Sequence, residues 1–217
     1  MTQLMPYLSL VIAYLLGSLP TSYLIGRIFY GTDIRETGSG NTGATNALRT
    51  FGPKIGIIVL IVDVLKGVAA ILIARYLMRN ASAGASFNLI ESLSGLFVIL
   101  GHVYSVWLKF KGGKGVATAA GVFLTLMPLP VLFCLVLFGY IVYTTKYVSL
   151  GSVLAVISLF IIELVTQIIM KFHNTPRLFL VLIIAALIIY RHGSNLKRLL
   201  SGSENKIKFA EKQEQEI

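Results

Sequence analysis

A chain of 217 residues that is 56% hydrophobic and 13% charged, with mean hydropathy +0.81, is not an ordinary soluble domain, in which about a quarter of residues carry charge. The formal charge of +10 admits a nucleic-acid partner until the lysines and arginines are placed along the chain. One cysteine, Cys134, excludes an internal disulfide and a cysteine-based metal cluster.

Seven apolar segments follow in chain order, at residues 7–29, 55–78, 92–108, 116–127, 131–145, 149–170 and 178–190. A helix perpendicular to the bilayer needs about 20 residues to cross. The first, second and sixth segments are long enough, the third and seventh are marginal, and the fourth and fifth are short. Pro128 and Pro130 break the chain between the short pair, because proline removes a backbone donor and clashes with the preceding turn. That pair is either two tilted spans or one re-entrant hairpin; both return the chain to the same side. No Lys or Arg precedes Arg27, so the N-terminus lacks the basic start of a cleaved signal peptide and reads as a retained first span. The expected fold is an all-α integral membrane protein of seven transmembrane helices, two of them short. Residues 1–202 form one polytopic domain. Residues 203–217 form a polar tail, either a frayed helix or a disordered end.

Fourteen of the nineteen Lys and Arg fall after odd-numbered segments or in the tail, four fall on the other side, and Lys66 lies within a segment. Positive loops mark the cytoplasmic side, which predicts an external N-terminus and a cytoplasmic C-terminus. The basic excess is then topology, and nucleic acid drops out as a partner. On the same face lie GSGNTGATN at residues 38–46, KGGKG at 111–115, the Lys146–Ser149 turn and RHGSN at 191–195. Glycine permits positive φ and close backbone approach, and successive amides form anion-binding nests. Gly38, Gly40, Gly43, Gly112, Gly113 and Gly115, with Ser39, Asn41, Thr45, Asn46, Arg49 and Lys114, therefore read as a phosphate site. Arginine adds a two-pronged grip on phosphate.

Other motifs fail. Gly38, Gly40 and Gly43 fit G-x-G-x-x-G, but no strand precedes them; Gly115 stands where a Walker loop needs Ser or Thr. No His-x4-Asp pair, no Asp-x-x-Asp cluster and no zinc-like grouping occurs. His173 reads as an external loop residue and His102 as a packed, hydrogen-bonded histidine. Asp63 and Lys66 stand three residues apart on one helix face and can pair. Glu163 has Gln167 one turn on, for helix–helix hydrogen bonding. A phosphate transporter would show polarity at midplane or on both faces and inverted repeats; a scaffold would not explain the glycines.

The stretches GSGNTGATNALRTFG, IVDVLKG, GHVYSVWLKFKGGKGVAT, KYVSLGS and IIYRHGSNLKRLLSG resemble, in this order, the PlsY family of membrane acyl-phosphate:glycerol-3-phosphate acyltransferases. The resemblance runs from about residue 16 to 202. It departs in a longer external stretch around 80–88 and a longer tail. It implies seven helices in the bacterial cytoplasmic membrane with a site open to the cytoplasm. It implies acyl transfer from acyl phosphate to the 1-hydroxyl of glycerol-3-phosphate, without CoA, carrier protein, metal, cofactor or obligate protein partner. By matching position, Ser39, Arg49 and Lys114 look like phosphate ligands and Ser149 like a further polar contact. His192 and Asn195 resemble the pair that orients glycerol-3-phosphate, His192 as an expected donor and not a base.

Overall fold

The computed structural model describes residues 4–79, 86–171 and 173–207. Most of the long connection expected at 80–88, and residues 208–217 of the expected tail, lie outside the described residues. Those described form helices and connecting turns, with no strand among them.

Helix α1 (Met5–Ser18) and α2 (Thr21–Tyr30) make the first apolar segment and bend by 41° at their junction. Pro20 causes the bend: it forces Leu19 out of the helical region, to φ −58°, ψ 114°. After the first polar loop come α3 (Ala44–Phe51) and the 27-residue α4 (Pro53–Arg79). Helix α5 (Phe87–Val103) continues into a single turn at Val106–Leu108. Then follow α6 (Val116–Leu126), α7 (Pro128–Thr145), α8 (Val148–Ile169), α9 (Thr175–Arg191) and α10 (Gly193–Leu200). The expected fifth segment at 131–145 is longer than its hydropathy indicates. Its helix begins at Pro128 and reaches 18 residues, because proline is tolerated in a first helical turn, where the amide has no partner to lose.

Four elements are long and apolar enough to cross a membrane: α4, α5 with its following turn, α7 and α8; the bent pairs α1–α2 and α9–α10 qualify as broken spans. Helix α6, with 11 residues, rises about 16 Å. The outer surface is apolar, with Val136, Tyr140 and Ile168 more than 60% exposed, as lipid-facing side chains must be. The chain is thus a multi-pass membrane protein.

Lipid tails give helices no hydrophobic reason to associate, so close packing through small residues takes over. Helix α1 packs on α5 and α4 on α6, each contact carrying glycine on both partners. A methyl on Gly121 would lie 2.0 Å from the Val64 carbonyl, and one on Gly67 2.3 Å from that of Thr118. Helix α7 packs on α8. Acidic groups inside this assembly are paired. Asp63 accepts from Lys66 at 2.8 Å and from Thr21 of α2 at 3.2 Å. Glu163 takes the expected bond from Gln167 at 2.6 Å and also two from Arg177 of α9, at 2.9 and 3.1 Å. Glu91, buried on α5, is paired with Arg75.

Candidate active site

The first polar loop is built from inside. Asp33 gathers Arg27 and Arg35 at 3.1 and 2.6 Å; the Arg35 guanidinium holds this carboxyl below its usual range. Gly38 and Gly40 turn the chain at φ +57° and +69°. The Asn46 side chain then fills the turn, 2% exposed. It accepts from the Ser39 amide at 2.8 Å and donates to the Ile34 and Thr37 carbonyls at 3.1 and 3.0 Å. Asn41 likewise accepts from the Gly43 amide at 2.9 Å, and the Gly40 amide donates to Thr37. The loop does not run on to the next span: residue 44 opens α3, and Arg49 sits in its last turn.

The glycines of the second loop serve packing. Gly112 and Gly113 donate their amides to Val103 and His102 at the end of α5, both at 3.0 Å. A methyl on Gly113 would lie 2.2 Å from the His102 ring. Arg191 clamps the loop from α9, donating to both glycine carbonyls at 3.2 Å. Five amides expected in an anion nest, those of Ser39, Gly40, Gly43, Gly112 and Gly113, are therefore engaged inside the protein. The glycines position side chains around the cavity.

Those side chains converge from four elements. Lys114 donates to Asn195 Oδ1. Glu204 accepts from Asn195 Nδ2 at 2.6 Å, from Ser149 Oγ at 2.8 Å and from Arg198 Nε at 2.8 Å. Arg49 donates to the Asn205 carbonyl at 3.0 Å, and the Ile207 amide to that of Lys146 at 2.9 Å. Residues 203–207, expected to begin the polar tail, thus lie against the site, and Glu204 is 8% exposed. Burial pushes the Glu204 carboxyl up, but hydrogen bonds from Asn195, Ser149 and Arg198 outweigh it and hold it below its usual value. Glu204 and Arg198 had no local signal: a carboxylate in a polar tail and one basic residue among several look like solvated charge.

His192 lies just beyond the end of α9, 3% exposed. Its Nδ1 is 2.8 Å from the Ile188 carbonyl, which can only accept, so Nδ1 carries the proton. Burial first, then the nearby Lys114 charge, lower the ring's pKa to about 4. The ring is neutral and Nε2 is an acceptor, which reverses the expected donor role. Burial also lowers the Lys114 ammonium to about 8 against the pull of Glu204, and Arg198, Arg191 and Arg49 add to the lowering.

A cavity of about 1070 Å³ joins these groups to the helices behind them. Every expected site residue except Gly113 lines it: Ser39, Gly40, Asn41, Thr45, Asn46, Arg49, Gly112, Lys114, Gly115, Ser149, His192 and Asn195. Its outer part is cationic, and its inner part runs between α6, α7 and α8 over apolar side chains. A second, water-sized cavity of about 10 Å³ is lined by Ser18 and shares Asp63 and His102 with it.

A family profile described as Glycerol-3-phosphate acyltransferase matches residues 7–202. Glycerol-3-phosphate acyltransferase 2 of Bacillus anthracis is 47% identical, covering 94% of this chain and all of that one. The glycerol-3-phosphate acyltransferase of Fusobacterium nucleatum is 45% identical over 92% of this chain and 97% of its own. The crystal structure of PlsY (YgiH), an integral membrane glycerol 3-phosphate acyltransferase in its glycerol 3-phosphate form, superposes with a TM-score of 0.83 at 39% identity, covering 94% and 96% of the two chains. With agreement in sequence, helix order and membrane architecture over almost its whole length, this chain belongs to the glycerol-3-phosphate acyltransferase family.

Proposed function

We propose that the protein transfers a fatty acyl group from acyl phosphate to the 1-hydroxyl of glycerol-3-phosphate, at the cytoplasmic face of the bacterial inner membrane. The observation that carries this reading is the single cavity in which a cation cluster opens into an apolar groove. Its chemistry suits a substrate that is phosphate at one end and hydrocarbon at the other. The hydroxyl oxygen attacks the acyl carbonyl carbon, the bond from that carbon to the phosphate oxygen breaks, and phosphate leaves with the electron pair. The hydroxyl proton passes to a phosphate oxygen. The products are lysophosphatidic acid and inorganic phosphate.

Each residue has a part in this scheme. Arg49, Lys114 and Arg198 offset the repulsion between two anionic substrates, with Ser39 and Ser149 as neutral donors. Asn195, fixed between Lys114 and Glu204, orients glycerol-3-phosphate, and His192 Nε2 accepts from its non-reacting 2-hydroxyl. Acyl phosphate already has a good leaving group, so holding the reactants together and stabilising charge supply most of the rate. No metal or cofactor enters the scheme, and the protein acts without an obligate partner chain. Residues 1–202 are the catalytic domain, with Glu204 completing it. All seven apolar segments cross, α6 as a short span, with the N-terminus outside.

Purified protein supplied with labelled glycerol-3-phosphate and either acyl phosphate or acyl-CoA tests the donor. Turnover with acyl phosphate alone, insensitive to chelator, is expected; use of acyl-CoA only, or loss with chelator and recovery with metal, refutes the scheme. Orientation is tested with Lys111→Cys and Ser86→Cys in a Cys134→Ala background. An impermeant reagent applied from outside the cell should label position 86 and not 111.

A further inference from the structure

Resting on the acyl-donor reading above, we propose that Phe123 is the floor of the acyl groove and sets the longest chain the enzyme accepts. The groove is made by a run of small side chains facing each other across the cavity: Ala117 and Ala120 on α6, Ser152 and Ala155 on α8. The lining then stops at one level. Phe123 on α6, Val131 on α7 and Leu159 on α8 are the deepest wall residues on these faces, apart from Leu124 beside Phe123. They are 1%, 3% and 5% exposed and belong to the central apolar core. Helix α8 runs on to Ile169 below them, so the groove ends inside the protein and does not open through its far side. Phe123 is the largest side chain of this layer and the one that most fully blocks it.

The depth can be read from the helix. Ser149, at the polar end, and Leu159, at the floor, stand ten residues apart on α8, a rise of about 15 Å. That is about half of the ~30 Å hydrocarbon thickness of a bilayer. A groove of that depth ending on a buried floor admits one extended chain and penalises a longer one, whose last carbons must bend aside or force the floor apart. Overpacked cores resist such insertion strongly.

The test uses the full-length protein, with kcat/KM measured for a ladder of saturated acyl phosphates from decanoyl to stearoyl. Phe123→Ala removes the floor and should move the preferred donor to longer chains, by roughly tenfold for each two-carbon extension newly accommodated. Ala120→Leu fills the groove midway and should move the preference to shorter chains. It adds a side chain to existing space, so it keeps the proposal falsifiable if Phe123→Ala does not fold. Opposite shifts, with KM for glycerol-3-phosphate unchanged, are the expected result. A folded Ala120→Leu protein with the wild-type profile overturns the floor while leaving the donor reading intact. A wild-type enzyme inactive on the whole ladder overturns the donor reading instead.

Discussion

The lowered pKa of Lys114 fixes an alkaline limit on catalysis. The free enzyme's ammonium titrates at about 8 because it is buried among arginines. At one pH unit above that value roughly a tenth of the enzyme keeps the charge, so kcat/KM for glycerol-3-phosphate should fall about tenfold per unit from there. Unfolding does not explain the loss. The folded-state pKa lies below the ordinary lysine value, so between the two the unfolded chain binds the extra proton. This group's contribution to stability therefore rises with pH across that window. Arginine stays charged throughout, so Lys114→Arg, though weaker in absolute rate, should lose the alkaline limb. His192, at about 4, should add no inflection near neutrality. An acid limb near 6 belongs to the substrate, whose phosphate takes up its second proton there. The assay is kcat/KM from pH about 5.5 to 9.5 in detergent, for wild type, Lys114→Arg and His192→Gln. Identical alkaline limbs in wild type and Lys114→Arg would refute the assignment. An acid limb present in wild type and missing from His192→Gln would make His192 the general base and sink the substrate-assisted scheme.

His192→Gln, whose amide oxygen can still accept, should keep activity within about tenfold of wild type, whereas His192→Ala should fall further, because a substrate hydroxyl loses its partner; single-turnover rates at saturation distinguish them. Arg49→Ala should cost about ten- to a hundredfold in kcat/KM, the worth of hydrogen bonds to a charged group, while the exposed Lys109→Ala should change it by less than about twofold. Equal losses in the two would remove Arg49 from the anion site. Glu204→Ala strips the shared acceptor from Ser149, Asn195 and Arg198 and should destabilise by about 3 kcal/mol, read as a lowered Tm in detergent, with Glu204→Gln intermediate. Because folding holds Glu204 below its ordinary pKa, its stabilisation is present above the unfolded carboxylate pKa and lost as pH falls through the folded one. A Tm for Glu204→Ala equal to wild type would make residues 203–207 dispensable.

Much of this protein was legible in the order of its residues. Each apolar segment became a helix because crossing a bilayer is a local demand: the backbone must satisfy its own hydrogen bonds, and a run of apolar side chains suffices to say where. The clustering of polar loops followed from the parity of those segments. The Asp63–Lys66 pair followed from helical spacing, and the gathering of Arg49, Lys114, Ser149, His192 and Asn195 around one cavity from the loops that carry them. Packing alone decided the rest. Whether Gly112 faces a phosphate or the carbonyls of α5 depends on a neighbour ten residues away that folds under it. Whether Asn46 points at a ligand or into its own turn depends on the space left by Gly38. Ser149 and Glu204, 55 residues apart, meet only after α8 and α10 have docked, so nothing local told that glutamate from the other acids of the tail. The groove floor is of the same kind: Phe123 is one apolar residue among many until three helices bring it level with Val131 and Leu159, because cavity shape is fixed by what surrounds a side chain and not by the chain on either side of it.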